Sequence, residues 1–407
     1  MEKKRYANID LLKTIAIIMV IALHSQLFIT DFIKDNKIST YIQYFIRILC
    51  EGVAIFILVN GFLLINKKHL LKTLKIFAIL VIWSIILTIS IQLIYKEPLK
   101  IIGIIKNIFI TDINNKYTGV LWFLQNLIAL YLIYPVLKIV HDNDKKVYNY
   151  FFIILLIFTM FTNLLSLISN LINTKIKFEG IKIIITYISK FQILYNRNFL
   201  IFFMLGGYLF ENKEKFETKK VRIKWIIIGL AAWIMSYIYA IIISKLQNKT
   251  YIGSFNYESI FMPFILIGIF ALTFNYKDKN HWYNKFIETV SKNSLGIYLI
   301  HIIIIRILNS VITETLPIGI RIIKVIFIFL VSLGLILKIY NIQKFAKANF
   351  VHEQKRGLKN NLKVIKLLMS AFVLFKLERK KEKNGKSFNN IANLQFRLSL
   401  EKCYRIC

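Results

Sequence analysis

The chain has 407 residues, 57% of them hydrophobic, with a mean hydropathy of +0.59 and four prolines; this leaves too little polar surface for a soluble protein of its length. A formal charge of +34 points to nucleic acid in a soluble chain, but in an apolar one it first points to Lys and Arg gathered on one side of a bilayer. The three cysteines, Cys50, Cys403 and Cys407, have neither framework nor metal-ligand spacing, which argues against a disulfide scaffold and against any metal site.

Apolar runs of about 20 residues recur along almost the whole length, the mark of an all-α polytopic membrane protein. We read ten transmembrane helices, at 9–28, 42–65, 74–95, 119–139, 148–172, 198–210, 223–244, 257–275, 294–312 and 320–340. The first has no small-residue cleavage site and is read as a true span rather than a removed signal. The sixth is short, and an amphipathic stretch at 181–195 precedes it.

Basic residues segregate by loop. Lys3, Lys4 and Arg5 precede span 1, and "NKKHLLK", "HDNDKK", "ENKEKFETKKVRIK" and "NYKDKNHWYNK" follow spans 2, 4, 6 and 8. The opposite loops are poorer in Lys and Arg for their length, so both termini are expected in the cytoplasm. Topology and anionic lipid headgroups then account for most of the charge, and no nucleic-acid partner is needed. The expected organisation is a membrane domain over 1–340 and a basic cytoplasmic tail over 341–407. Within that tail "VIKLLMSAFVLFKL" reads as interfacial or disordered, because it is too short and too basic to span.

Ionisable groups inside spans are costly and are functional candidates by default. Span 1 carries Lys13 and His24. Eleven residues at 100° each bring the two to within about 20° of one face, with roughly 16 Å between them along the axis. Lys13 reads equally as a snorkelling anchor, with Asp10 one turn earlier as a salt-bridge partner. His24 reads either as a satisfied helix–helix hydrogen bond or as a catalytic imidazole. In span 2, Arg47 and Glu51 stand at i,i+4 and could form a structural pair. Span 9 places Tyr298 and His301 near mid-depth and Arg306 further out, where a snorkelling role is the plain alternative. His24, Arg47, Glu51 and Arg306 all fall in the outer half of the predicted bundle. Four such groups in one layer are expected to line a wet, protein-enclosed cavity. Arg5, Lys13 and the loop lysines form a second candidate site, suited to the phosphates of a nucleotide-bearing donor.

At these residues the chain resembles the acyltransferase 3 family, integral-membrane acyltransferases that decorate bacterial surface glycans. "RYANIDLLKTIAIIMVIALHS" resembles the family's first span, in which a basic residue, usually Arg, is separated by ten residues from a histidine; Lys13 and His24 hold those places. "EGVAIFILVNGFLL" is similar to a second-span pattern ending in Ser-Gly, where this chain has Asn60-Gly61. "LWFLQNLIALYLIYPVL", "FFMLGGYLF" and "SLGIYLIH" resemble three further segments. The order holds over residues 5–305, and the closest subgroup in shape is the stand-alone O-acetyltransferases.

The resemblance implies transfer of an acyl group, commonly acetyl, from acyl-CoA to a hydroxyl of a surface polysaccharide or lipid-linked glycan at the bacterial plasma membrane. By it His24 is the catalytic histidine and Lys13 the basic partner of the motif; Arg5 joins Lys13 on the donor side from position alone. Acyl-CoA serves as co-substrate, and no cofactor is tightly bound. A neutral imidazole can take the hydroxyl proton as the oxygen attacks the thioester, or carry the acyl group itself. From position alone, Glu51 is expected to orient that imidazole, while Arg47 and Arg306 hold an anionic acceptor or an oxyanion. Tyr298 and His301 are expected at the substrate as well. Lys at position 13 lacks the planar fork of Arg, which alters how it would meet a donor phosphate. The alternatives are a glycan or lipid exporter and a catalytically inactive scaffold; against export, the sequence has no repeat of its spans and no paired broken helices.

Overall fold

A computed structural model describes residues 5–65, 72–98, 101–109, 115–175, 197–251, 259–277, 281–312 and 316–354, with Gly180, Ile183 and Tyr257. Among the described residues all regular structure is helical. Among the described residues eight helical stretches are long and apolar enough to cross a membrane, and two shorter apolar helices, Asn198–Glu211 and Met262–Thr273, stand at the sixth and eighth predicted places. The protein is therefore an all-α, multi-pass membrane protein. The outer helices keep Ile, Leu and Phe side chains on their outward faces, as Leu74, Ile157, Ile227 and Ile323 do; lipid solvates such faces at no cost.

Helix α1 (Ala7–His24) is the hub. It packs against α4 (Gly52–Leu64), α11 (Met262–Thr273) and α12 (Trp282–Val311). Ile9, Leu12, Ala16, Ile17, Val20 and Ile21 are buried on it, a helical spacing that turns one stripe to the bundle. Its first turn is fixed by polar contacts. Arg5 Nε lies 2.6 Å from the Asp10 carboxylate and Arg5 Nη1 lies 3.0 Å from Glu288. Ser291 Oγ donates to Asp10 at 2.5 Å.

The second predicted span, 42–65, falls within one apolar stretch, Ile38–Leu64, but that stretch is not one unbroken helix. The chain instead forms α3 (Ile38–Arg47), four non-helical residues, and then α4. Each half has its own docking partner. The α3 half lies on α10 (Lys219–Gln247), where Phe45 stacks on Trp233 at 4.1 Å and receives the Trp233 indole N–H on its carbonyl at 3.0 Å. Phe32, on the short helix α2 (Phe32–Asp35), joins Tyr44, Ile48 and Ala240 in a small core of their own. The α4 half crosses α9 (Arg197–Glu211) so closely that a Cβ on Gly61 would overlap the Phe203 carbonyl, and one on Gly206 the Leu58 carbonyl. The helix breaks where these two dockings diverge. Tight turns satisfy the backbone there, with Leu49 N–H to Ile46 O at 3.1 Å and Cys50 N–H to Arg47 O at 3.0 Å. Such a break at membrane depth is tolerated only inside protein or beside a wet cavity.

The other boundaries differ by a few residues, with two exceptions. α12 begins twelve residues before predicted span 9, because the polar stretch "WYNKFIETVSKN" continues the helix. The other is α13 (Ile318–Gln354), which runs past the predicted end at 340. The remaining helices are α5 (Lys72–Ile94), α6 (Ile101–Phe109), α7 (Trp122–Asn143) and α8 (Lys145–Lys175). By contacts between residues the chain divides into two units between Lys338 and Ile339. The tail beyond Gln354 lies outside the described residues, as does the 181–195 stretch apart from Ile183.

Candidate active site

A cavity of about 380 Å³ opens beside the C-terminal end of α1, within the size range of small-molecule sites. His24 is the last residue of α1, so its ring projects past the packed stripe and keeps accessible surface toward the cavity. Arg47 ends α3, Glu51 precedes α4, and both face the same space with Gly52 and Val53. Arg306 comes from α12. The structure thus brings together the four polar residues placed in one layer by sequence. Arg47 and Glu51 stand at the two ends of the break, not one turn apart on a helix as expected.

Much of the remaining wall is a segment of which the sequence singled out only the last residue, Trp122. Asn115, Lys116, Tyr117 and a 3-10 turn at Gly119–Leu121 lead into Trp122 at the start of α7. Asn115 Oδ1 accepts the backbone N–H of Tyr117 at 2.9 Å and of Thr118 at 3.1 Å, which folds the segment on itself. Two groups on α12 pin it from behind. The Tyr298 hydroxyl donates to the Val120 carbonyl at 2.5 Å, and Arg306 Nη2 approaches the Lys116 carbonyl at 3.5 Å. Glu97 forms an ion pair with Lys116 and accepts the Tyr117 hydroxyl at the mouth. Lys116, and next the phenol of Tyr117, hold the Glu97 carboxyl below its ordinary range, while Glu97 pushes the Lys116 ammonium up.

Glu51 is 6% exposed. It accepts a hydrogen bond from Tyr257 and lies within electrostatic reach of Arg47. The Tyr257 hydroxyl donates and the Glu51 carboxyl accepts. Tyr257 carried no signal in the sequence; it is one tyrosine at the start of predicted span 8, in "IGSFNYE".

Tyr298 and His301 do not line the cavity; they back its wall. His301 is fully buried, with its ring centroid 5.3 Å from that of His24. Its Nδ1 lies 2.5 Å from the Tyr298 carbonyl. A carbonyl only accepts, so Nδ1 carries the hydrogen and Nε2 the lone pair. That buried Nε2 has no hydrogen-bond partner among the described residues. Arg5 and Lys13 lie toward the opposite end of α1, with Arg5 held by Asp10 and Glu288. Asn60 bridges outward from α4, with Nδ2 to the Phe56 carbonyl at 2.8 Å and Oδ1 accepting the Tyr131 hydroxyl at 2.7 Å. Among the described residues no group of three or more His, Cys, Asp or Glu could hold a metal ion.

A family model described as an acyltransferase domain, that of the acyltransferase 3 family, matches residues 6–339, well over half of the chain. The match spans every cavity residue named above. No curated protein and no solved structure matches the chain. The chain belongs to the acyltransferase 3 family and is a membrane acyltransferase.

Proposed function

We propose that this acyltransferase moves an acyl group, most simply acetyl, from acyl-CoA to a hydroxyl of a surface polysaccharide or lipid-linked glycan at the bacterial plasma membrane. The observation that carries the reading is the placement of His24, an imidazole at the end of a membrane helix opening onto a polar, protein-walled cavity. The acceptor enters that cavity, with Arg47 and Arg306 as its binding groups. His24 takes the hydroxyl proton while the acceptor oxygen bonds to the thioester carbonyl carbon. The C–S bond then breaks and the departing thiolate receives the proton back from the imidazolium. His301 acts behind His24. Its Nε2 lone pair can take the His24 ring N–H and so turn the other ring nitrogen toward the acceptor, as an orienting acceptor does in a triad.

Donor and acceptor enter from opposite ends of α1. Lys13 and Arg5 meet the donor at the N-terminal end, which the basic loops assign to the cytoplasm together with both termini. Glu51, engaged by Tyr257, acts by holding the broken span in shape and by its field on Arg47, a role different from orienting the imidazole. The test supplies labelled acetyl-CoA to membranes containing wild type, His24→Ala or Lys13→Ala at matched protein levels. Label is expected in glycan or glycolipid for wild type, absent for His24→Ala and reduced for Lys13→Ala. Transfer that persists in His24→Ala overturns the mechanism.

A further inference from the structure

Among the described residues the charged groups of the cavity do not balance. Three cationic side chains line it, Arg47, Lys116 and Arg306, against one carboxylate, Glu51. Glu97 neutralises Lys116 from the mouth, and Glu51 acts on Arg47. Arg306 has no carboxylate within ion-pair distance among the described residues. Its hydrogen bond is the long one to the Lys116 carbonyl, and its buried Nε makes none. Arg306 is also near enough to act electrostatically on His24. A guanidinium left with one positive charge in a membrane-embedded pocket is costly unless an opposite charge joins it.

We infer that the acceptor is anionic: a sugar or polyol bearing a phosphate or carboxylate close to the hydroxyl that is acylated. The inference rests on the acyl-transfer reading for the word acceptor, but the anion site itself does not. Arg306 fits this ligand chemically, since a guanidinium fork pairs with two oxygens of a phosphate or carboxylate. Trp122, Tyr117 and Tyr257 add the aromatic surface on which a sugar ring packs. Acyl-CoA phosphates are the other possible anion. They are set apart from the thioester by the length of the pantetheine arm, so an anion sharing one 380 Å³ cavity with His24 belongs to the acceptor.

The test needs no acyl transfer. The full-length protein in nanodiscs is treated with diethyl pyrocarbonate, and carbethoxylation of His24 is followed by mass spectrometry. Glycerol 3-phosphate, glucuronate, glycerol, glucose and CoA are each added in turn. The anionic probes are expected to slow His24 modification about tenfold at roughly ten times their dissociation constant, with glycerol and glucose giving no protection. Protection, taken as a ratio within each variant, is expected to vanish in Arg306→Gln, weaken in Arg306→Lys and persist in Lys34→Gln, whose side chain is 83% exposed. Equal protection by glucose and glucuronate, protection that survives Arg306→Gln, or no protection by any anion overturns the inference. Protection by CoA alone that survives Arg306→Gln places the anion on the donor and overturns it as well. Arg306-dependent protection without label transfer would sink the acyl-transfer proposal and keep the anion site; transfer to a neutral glycan without protection would do the reverse.

Discussion

Gly52 is where the break in the second span meets α1, so a single methyl group there tests whether the cavity's geometry matters. A Cβ at position 52 would overlap the Ala16 carbonyl oxygen and stand 3.0 Å from Val20 Cγ2, while ordinary contact begins at 3.4 Å. The obstacle is mainly helix backbone, which cannot rotate aside, so α1 and the start of α4 must part by more than 1 Å. Gly52 follows Glu51 and lies on the cavity wall with Val20 and His24, so the displacement falls on the reacting groups. A misplacement of that size costs about 10²-fold in rate, or roughly 2.7 kcal/mol of transition-state stabilisation. The strain on the fold is about 1–3 kcal/mol, the usual range for overpacking. The assay compares kcat/KM for labelled acetyl transfer and the thermal midpoint in detergent for Gly52→Ala and Gly334→Ala. Gly334 has nothing within 4 Å of a built Cβ, so its variant is expected to match wild type in both. Wild-type kcat/KM in a folded Gly52→Ala would refute the claim that this contact sets the site.

His301→Leu is expected to lower kcat by about 10²-fold with KM nearly unchanged, and His301→Gln, whose Oε1 can replace the Nε2 lone pair, to recover most of it. Equal losses in both variants would make His301 a packing residue. At the cavity mouth, the depressed Glu97 contributes stability that is complete above the ordinary carboxylate range and is lost as pH falls through its folded-state value. Lys116, pushed up, contributes below the ordinary lysine value and loses its share as pH rises through the raised one. Hydrogen exchange at the Tyr117 and Thr118 amides, corrected for intrinsic rates, should therefore quicken on acidification in wild type and lose that pH dependence in Glu97→Gln. Asn60→Ser removes the acceptor of the Tyr131 hydroxyl and is expected to cost about 1 kcal/mol of stability, with transfer activity intact because Asn60 lies outside the cavity.

Much of this arrangement was legible in the sequence because lipid makes intramembrane charge so costly. That cost is why His24, Arg47, Glu51 and Arg306 could be placed in one layer from span directions alone, and the cavity collects all four. The break at 48–51 was not legible, because "FIRILCEGVAIFILV" is apolar enough to read as one helix. Its cause lies in tertiary partners, Trp233 for one half and Phe203 for the other, which no local pattern reveals. Tyr257 and the Asn115–Val120 wall escaped for a related reason. Loop residues carry no periodicity, and a tyrosine beside a buried carboxylate looks in sequence like any other. Tyr298 and His301 were expected at the substrate; they do not line the cavity, and the helix turns them behind its wall instead.

Glu51, Tyr257 and Arg47 give a direct test of what keeps the break open. Tyr257→Phe removes one hydrogen bond to a carboxylate, a loss of about 1.5–3 kcal/mol. Glu51→Gln keeps an oxygen for Tyr257 but removes the charge acting on the half-buried Arg47 guanidinium, a larger electrostatic loss than one hydrogen bond. The Gln variant should therefore be the less stable, although it differs from wild type by the smaller change in shape. The double variant should lose less than the sum, since both changes act on one carboxylate. Thermal or denaturant midpoints of the three variants in nanodiscs decide it. If Tyr257→Phe cost as much as Glu51→Gln, the hydrogen bond and not the charge would be what Glu51 supplies. The broken span would then owe its shape to the two separate dockings of α3 and α4 alone.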